Sequence, residues 1–139
     1  MEWLLSTEIW ASLITLTVLE IVLGIDNIVI LAIISNTDDA IVAGNVARIG
    51  VAFDHVITAE QVGAYKPSPV IFAYALRVLG CGPHEVLHVA QGFEYDVVAA
   101  HDLGWNRVWI NRYGKTGDPT FGPYVELPDL GGLPGLLGL

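Results

Sequence analysis

The stretch IVILAIISNTDD at residues 28–39 decides how this chain folds. Seven apolar residues are followed at once by Ser35-Asn36-Thr37-Asp38-Asp39, a group of side chains that favour helix N-termini. A continuous apolar run of this length is typical of a strand buried on both faces in a parallel sheet. The stretch therefore predicts a buried strand that leads into a helix continuing to about Ile49.

The chain beyond this stretch repeats the alternation of strand and helix. Cap residues and apolar spacing indicate a helix that begins at Ser68-Pro69 and ends before Gly80. The other predicted elements are strands at 51–58, 86–90 and 107–111 and a helix at 94–102. Such alternation predicts an α/β fold with a parallel sheet and helices on both faces, followed by a mostly irregular tail from Gly114.

Composition excludes several classes of protein. Of 139 residues 53% are apolar and only 15% are charged, which is incompatible with intrinsic disorder. The net charge of -9 would repel phosphate backbones, so we expect no nucleic-acid partner. The one cysteine, Cys81, excludes a disulfide framework within the chain and fits a reducing compartment, so we expect the α/β portion to be cytoplasmic.

Residues 1–28 differ from the rest of the chain, and we treat them as a separate apolar helix. Between Ile9 and Thr37 the only charged residues are Glu20 and Asp26. The length suits a transmembrane helix, and membrane association would run through residues 9–34. Two acids inside the segment offset most of its apolar gain, so a buried helix of a globular protein is the alternative.

Polar residues follow the predicted strands at the points where ligands gather in parallel sheets. Ser35 and Asn36 follow the first strand, Lys66 precedes a helix, and Asp96 follows the strand at 86–90. Hydroxyl and amide donors beside an ammonium group would bind an anion, and Asp96 would orient Lys66 or a water. The alternative is that Ser35 is only an N-cap and Asp96 only an ion-pair partner. Gln91 also follows the strand at 86–90, and Asn111-Arg112 follow the last strand, at the same edge.

Three segments closely resemble successive motifs of the haloacid dehalogenase (HAD) superfamily. They are residues 31–38 (LAIISNTD), 65–69 (YKPSP) and 88–96 (HVAQGFEYD), and residues 103–112 (LGWNRVWINR) are similar to the type II haloacid dehalogenase-like branch. The resemblance covers residues 29–139 and implies a Rossmann-like sheet and hydrolysis through an aspartyl-enzyme ester. It implies a substrate-binding hydroxyl at Ser35 with Asn36 beside it, a charge-stabilising Lys66 and a catalytic acid at Asp96. The substrate would be a small anionic organic molecule.

Several positions depart from the family pattern. An Asp-x-Asp-Gly-like motif with the nucleophilic aspartate and a cap domain should precede Ser35, and neither occurs in this sequence. Asp26 is too close to the Ser35 strand to leave room for a crossover. Gln91 stands where phosphatases have an acid that helps hold magnesium, so Mg²⁺ is disfavoured. Phe93 and Phe72 stand where dehalogenases have Asn and Tyr. We therefore expect an incomplete HAD-like hydrolase, of the 2-haloacid dehalogenase or phosphatase type, with impaired catalysis.

The missing motif has a structural consequence. In the family its strand lies between the strand that ends at Ser35 and the strand that begins at Val86, so its loss opens a gap in the middle of the sheet. Open strand edges promote association. We expect part of Leu13 to Leu23 to insert into the gap, a homodimer to form across it, or the chain to fold poorly.

A second resemblance belongs to the opening residues. LEIVLGIDN at residues 19–27, preceded by MEWL at residues 1–4, looks like the first membrane helix of the TerC family of integral membrane proteins. That resemblance implies metal-ion transport with Glu20 and Asp26 as the ion-site acids. The alternatives to the hydrolase are thus a truncated TerC-type protein and a membrane-tethered, non-catalytic anion-binding module. The change of character at 28–34 is typical of a gene fusion or chimera.

Overall fold

The computed structural model describes the backbone of residues 18–23 and 29–138, and the side chains of residues 30–138. Its centre is a six-stranded sheet with the order β3-β2-β1-β4-β5-β6. The strands are β1 (Val18–Leu23), β2 (Val29–Ser35), β3 (His55–Thr58), β4 (Val86–Ala90), β5 (Asn106–Ile110) and β6 (Val125–Leu127). All neighbouring pairs are parallel except the two that involve β1.

The helices follow the carboxyl ends of the strands. They are α1 (Asp39–Ile49), α2 (Ala59–Val62), α3 (Pro69–Leu79), α4 (Ala99–Asp102) and α5 (Leu133–Leu136), with a π-helical turn at Phe93–Val98 before α4 and short 3₁₀ turns at Pro83–Glu85, Pro119–Phe121 and Leu130–Gly132. Asp38 caps α1 by accepting from the Ile41 amide, and Ser68 caps α3 by accepting from the Val70 amide. Gly80 ends α3 at φ 67°, a conformation that favours glycine.

Helices cover both faces of the sheet, and each face has its own core. On one face Ala32 and Ile34 of β2 pack with Ile71 and Phe72 of α3. On the other face Ile33 of β2 packs with Val42 and Ile49 of α1. Successive residues of a strand point to opposite faces, so the continuous apolar run of β2 serves both cores. The predicted α/β fold with flanking helices is confirmed.

Strand β1 occupies the gap in the middle of the sheet. It runs antiparallel to both neighbours, with Leu19 opposite Ile33 of β2 and Val89 of β4. The expectation of a helix is therefore wrong for residues 18–23, because the open edges of β2 and β4 satisfy the backbone groups of an extended segment on both sides. Of the three outcomes expected for the gap, insertion is what the structure has. A homodimer across the gap stays a prediction.

The other predicted elements agree with the structure to within a few residues. The differences are the short helix α2 after β3 and, in the tail, α5 and the strand β6, which lies parallel beside β5. Among the helices that the structure describes, none is long and apolar enough to cross a membrane. The predicted helix over residues 1–28 lies, apart from β1, outside the described residues.

Candidate active site

A buried ion pair joins two of the predicted site residues. Lys66, in the loop before α3, places Nζ 2.8 Å from Oδ1 of Asp96, in the π-helical turn after β4. The two side chains are 0% and 1% exposed, so neither charge is screened by solvent. Lys66 Nζ also lies 3.4 Å from the carbonyl oxygen of Ile34 near the end of β2. The structure brings Lys66 and Asp96 together at the carboxyl edge of the sheet, and their catalytic roles stay predictions.

Asn36 holds the backbone of Lys66. Its Oδ1 accepts from the Lys66 amide at 2.7 Å, and its Nδ2 donates to the Lys66 carbonyl at 3.2 Å. The expected role of Asn36 was to donate to a bound anion, but the structure uses both ends of its carboxamide to position Lys66. Direct contact between Asn36 and a substrate stays a prediction.

Ser35 makes a hydroxyl pair with Thr37, a residue that sequence reasoning did not select. The two hydroxyl oxygens are 2.6 Å apart, and the Thr37 amide donates to the Ser35 hydroxyl at 3.1 Å. Ser35 is buried while Thr37 is only partly buried. One hydroxyl hydrogen is used between the two oxygens, which leaves the other to donate to a ligand.

His88 is the second site residue that the sequence did not reveal. Its Nε2 lies 3.2 Å from Asp96 Oδ1. His88 is 1% exposed and lies edge-on to the rings of Phe72 and Trp105, each with its centroid 5.6 Å away. The signal that could have found it is alternation, because His88 lies between Val86 and Ala90 of the same core.

The two oxygens of Asp96 have different surroundings. Oδ1 meets both Lys66 Nζ and His88 Nε2, whereas Oδ2 is buried and has no hydrogen-bond partner among the described residues. Gly92 lies directly beside Oδ2: a Cβ at this position would be 2.7 Å from that oxygen. Any side chain at residue 92 would therefore displace the carboxyl group.

The remaining residues proposed for this edge make other contacts or are exposed. The carbonyl of Gln91 accepts from Trp109 Nε1 at 3.1 Å. The side chain of Asn111 donates to Lys115 O and to Glu126 Oε1, each at 2.7 Å, and so organises the tail. Arg112 is exposed. None of these contacts involves the Lys66–Asp96 pair.

The acids of the opening segment are only partly described. The backbone of Glu20 lies in β1, opposite Ala32 and His88 in register, and its side chain lies outside the described residues. Asp26 also lies outside them. Its described neighbours in sequence, Leu23 and Val29, pair at the amino ends of the parallel strands, which is the edge opposite Lys66 and Asp96.

The described residues do not fit a magnesium site. Within the part of the chain that the structure describes, no three His, Cys, Asp or Glu side chains group as metal ligands. Magnesium takes six oxygen ligands, whereas the neighbours of Asp96 Oδ1 are the ammonium of Lys66 and the ring of His88.

The fold and the site together define a Rossmann-type α/β protein with a buried Lys–Asp pair at the carboxyl edge of its sheet. The family of haloacid dehalogenase-like hydrolases matches residues 14–104, well over half of the chain, and the chain belongs to this family. The match includes residues 19–27, on which the resemblance to TerC rests. That resemblance stays a prediction.

Similar proteins include dehalogenases and phosphatases. (S)-2-haloacid dehalogenase 1 of Pseudomonas sp. (strain CBS-3) is 34% identical over 112 residues, which are 76% of this chain and 48% of that protein. Glyceraldehyde 3-phosphate phosphatase of Methanothermobacter thermautotrophicus is 36% identical over 66 residues, 46% of this chain and 29% of that protein. The chain thus spans less than half the length of these curated relatives.

Solved structures give the same picture. L-2-haloacid dehalogenase from Xanthobacter autotrophicus superposes with a TM-score of 0.66 at 28% identity, covering 77% of this chain and 54% of that chain. A HAD phosphatase from Thermococcus onnurineus superposes with a TM-score of 0.64 at 33% identity, covering 76% of this chain and 49% of that chain. The predicted HAD-like fold is confirmed.

Proposed function

We propose that this chain is a HAD-type hydrolase unit for a small anionic organic substrate, and that its turnover as this chain is impaired. The buried Lys66–Asp96 pair at the carboxyl edge of the sheet is the observation that carries the proposal. The two charges depend on each other, because removing one partner of a buried ion pair typically destabilises a fold by about 3–5 kcal/mol. Such a pair is therefore difficult to explain as an incidental surface contact.

The substrate class follows from the donors at this edge. The Lys66 ammonium would neutralise the charge of a carboxylate or phosphate group, and the Ser35–Thr37 hydroxyl pair has one hydrogen left to donate. In the chemistry of the family a carboxylate attacks the carbon or phosphorus of the substrate, the leaving group departs, and water hydrolyses the resulting ester. Lys66 would stabilise the negative charge that moves during both steps.

A 2-haloacid is favoured over a phosphate ester as the substrate. The dehalogenase from Pseudomonas matches 76% of this chain, whereas the phosphatase from Methanothermobacter matches 46%.

Impairment is supported by what occupies the centre of the sheet. The strand between β2 and β4 has the sequence VLEIVL, which contains no aspartate. It runs antiparallel to its neighbours, so the residue level with the carboxyl end of β4 is Val18, opposite Ala90. In the family this place belongs to the nucleophilic aspartate.

Turnover is the first test of the proposal. We expect the purified chain to show no more activity than Lys66→Met in two assays. These assays are chloride release from 2-chloropropionate, and nitrophenolate release from p-nitrophenyl phosphate with or without Mg²⁺. Lys115→Met, which changes an exposed lysine, is the matched control. If the chain and Lys115→Met both turned over a substrate and Lys66→Met did not, the chain would be a working enzyme and the proposed impairment would be wrong.

Binding tests the anion site separately from turnover. At ten times its Kd an anion would stabilise the folded chain by about 1.4 kcal/mol. We expect 2-chloropropionate to raise the Tm of the chain and of Lys115→Met, and to leave the Tm of Lys66→Met unchanged. An equal shift in all three proteins, or none in any, would overturn the assignment of Lys66 as the anion-binding residue.

A further inference from the structure

We propose that His88 is a positioning residue for Asp96. It fixes the carboxyl group of Asp96 so that Oδ1 holds the ion pair and Oδ2 is left as the reactive oxygen. The inference rests on the proposed function only in taking Asp96 as a site residue. It starts from the 3.2 Å contact between His88 Nε2 and Asp96 Oδ1. Nothing in the roles described above uses this buried imidazole.

The direction of the hydrogen bond follows from the chemistry of the pair. An ionised carboxylate only accepts, so His88 Nε2 must carry the hydrogen that lies toward Oδ1. Lys66 Nζ donates to the same oxygen at 2.8 Å. One oxygen of Asp96 therefore receives two donors, while the other receives none among the described residues. A buried acceptor without a partner costs about 1–3 kcal/mol, so the carboxyl group must be held in this orientation.

His88 is the more rigid of the two donors. It belongs to β4, which is paired on both sides by β1 and β5. Its ring is enclosed by Phe72 and Trp105, whose exposed fractions are 0% and 1%. Lys66 instead reaches Oδ1 from a loop through a flexible four-carbon chain. The imidazole therefore constrains where Oδ1 lies.

Gly92 leaves room for the second oxygen of the Asp96 carboxyl group. Its φ of -72° and ψ of 118° are ordinary for any residue, so its backbone does not require glycine. Space does require it, because a Cβ would come within 2.7 Å of Asp96 Oδ2. His88 holds the carboxyl group on the Oδ1 side, and the bare Cα of Gly92 leaves room on the Oδ2 side.

The arrangement divides two tasks between the oxygens of one carboxylate. Oδ1 can accept a proton only by giving up a donor from Lys66 or His88. Oδ2 can accept one without disturbing the ion pair. His88 thus directs the acid–base chemistry of Asp96 to a single oxygen, without touching a substrate itself.

NMR of the full chain tests this without any need for turnover. His88→Gln keeps an N–H donor, and His88→Phe keeps an aromatic ring and loses the donor. The carboxyl ¹³C resonance of Asp96 is identified by its loss in Asp96→Asn. We expect this resonance to stay in place in His88→Gln and to move in His88→Phe, and also to move in Gly92→Ala.

A role limited to packing predicts the reverse pattern. If His88 only fills the space between Phe72 and Trp105, His88→Phe leaves the Asp96 resonance in place, and that result would overturn the proposal. A second measurement needs no variant of His88. Long-range ¹H–¹⁵N spectra of the unmodified chain should show Nε2 protonated, and an unprotonated Nε2 would also overturn it. Both readouts are independent of anion binding and turnover, so they can fail while the proposed function stands.

Discussion

The carboxamide of Asn36 makes two hydrogen bonds to the backbone of Lys66, although the residues are 30 positions apart. Oδ1 accepts from the Lys66 amide at 2.7 Å, and Nδ2 donates to the Lys66 carbonyl at 3.2 Å. The end of β2 is thereby joined to the loop that carries the buried ammonium group. The position of Lys66 beside Asp96 depends on a residue that touches neither charge.

Substituting Asn36 should loosen Lys66 in graded steps. Asn36→Asp keeps the acceptor and loses the donor, while Asn36→Leu loses both. Each lost hydrogen bond of this kind costs about 0.5–1.5 kcal/mol, with a further penalty for buried groups left unpaired. We expect urea denaturation to rank the unmodified chain above Asn36→Asp and Asn36→Asp above Asn36→Leu.

Hydrogen exchange provides the control for this ranking. The Lys66 amide should exchange faster in Asn36→Leu, while amides in the middle of α1 keep their rates. A uniform increase at all sites would mean that Asn36 contributes only to global stability, and its role in positioning Lys66 would be wrong.

The buried pair itself predicts strong coupling between Lys66 and Asp96. Lys66→Met and Asp96→Leu should each lower the free energy of unfolding by about 3–5 kcal/mol, because each removes one member of the buried ion pair and keeps the charge of the other. The double variant removes both charges and should be much less destabilised than the sum of the two changes. Urea denaturation of all four proteins measures the coupling.

Lys115→Met again serves as the matched control, and a change within about 0.5 kcal/mol is expected at such a surface position. If the effects of Lys66→Met and Asp96→Leu simply add, the two charges do not stabilise each other, and the ion pair would not organise the site.

Most of the elements could be predicted because their signals are local. The caps at Asp38 and Ser68, the apolar run of β2 and the glycine after α3 each act within a few residues. The convergence of Lys66 and Asp96 was also predictable, since it follows from the rule that residues after parallel strands meet at one edge.

Features that depend on distant partners could not be predicted in the same way. An apolar segment such as Val18–Leu23 suits a helix or a strand equally well, and the edges of β2 and β4 decide in favour of the strand. Likewise, alternation along β4 predicts that His88 is buried. Alternation does not predict the contact of His88 with Asp96, because Asp96 lies in the turn after β4. Nor does it predict the enclosing rings, which come from α3 and from the loop before β5.

Arg107 should anchor the tail of the chain. Its guanidinium donates to the carbonyls of Trp105, Phe121 and Pro123 at 2.6–3.0 Å, and burial lowers its pKa from the ordinary value. Hydrogen bonds from a charged donor contribute about 1.5–3 kcal/mol each, so Arg107→Met should release residues 113–124. Limited proteolysis should then cleave within them.

The matched control for the tail is Arg112→Met, since Arg112 is exposed. It should be cleaved at the same rate as the unmodified chain. Equal resistance of both variants to protease would show that the tail is held by the packing of Trp109 and Tyr124 and not by Arg107.

The central position of β1 makes proline substitution there unusually damaging. Ile21 lies opposite Leu31 of β2 and Leu87 of β4, so the segment is paired on both sides. Ile21→Pro removes a backbone donor from the middle of the sheet and should strongly destabilise the fold. Val125→Pro is the matched control, because Val125 begins the edge strand β6, where proline is tolerated. Thermal unfolding should show a large loss of Tm in the first variant and a small loss in the second.

Backbone ¹³C shifts give an independent check on β1. Strand values are expected at residues 18–23, and helical values there would restore the helix predicted from the sequence and remove β1 from the sheet.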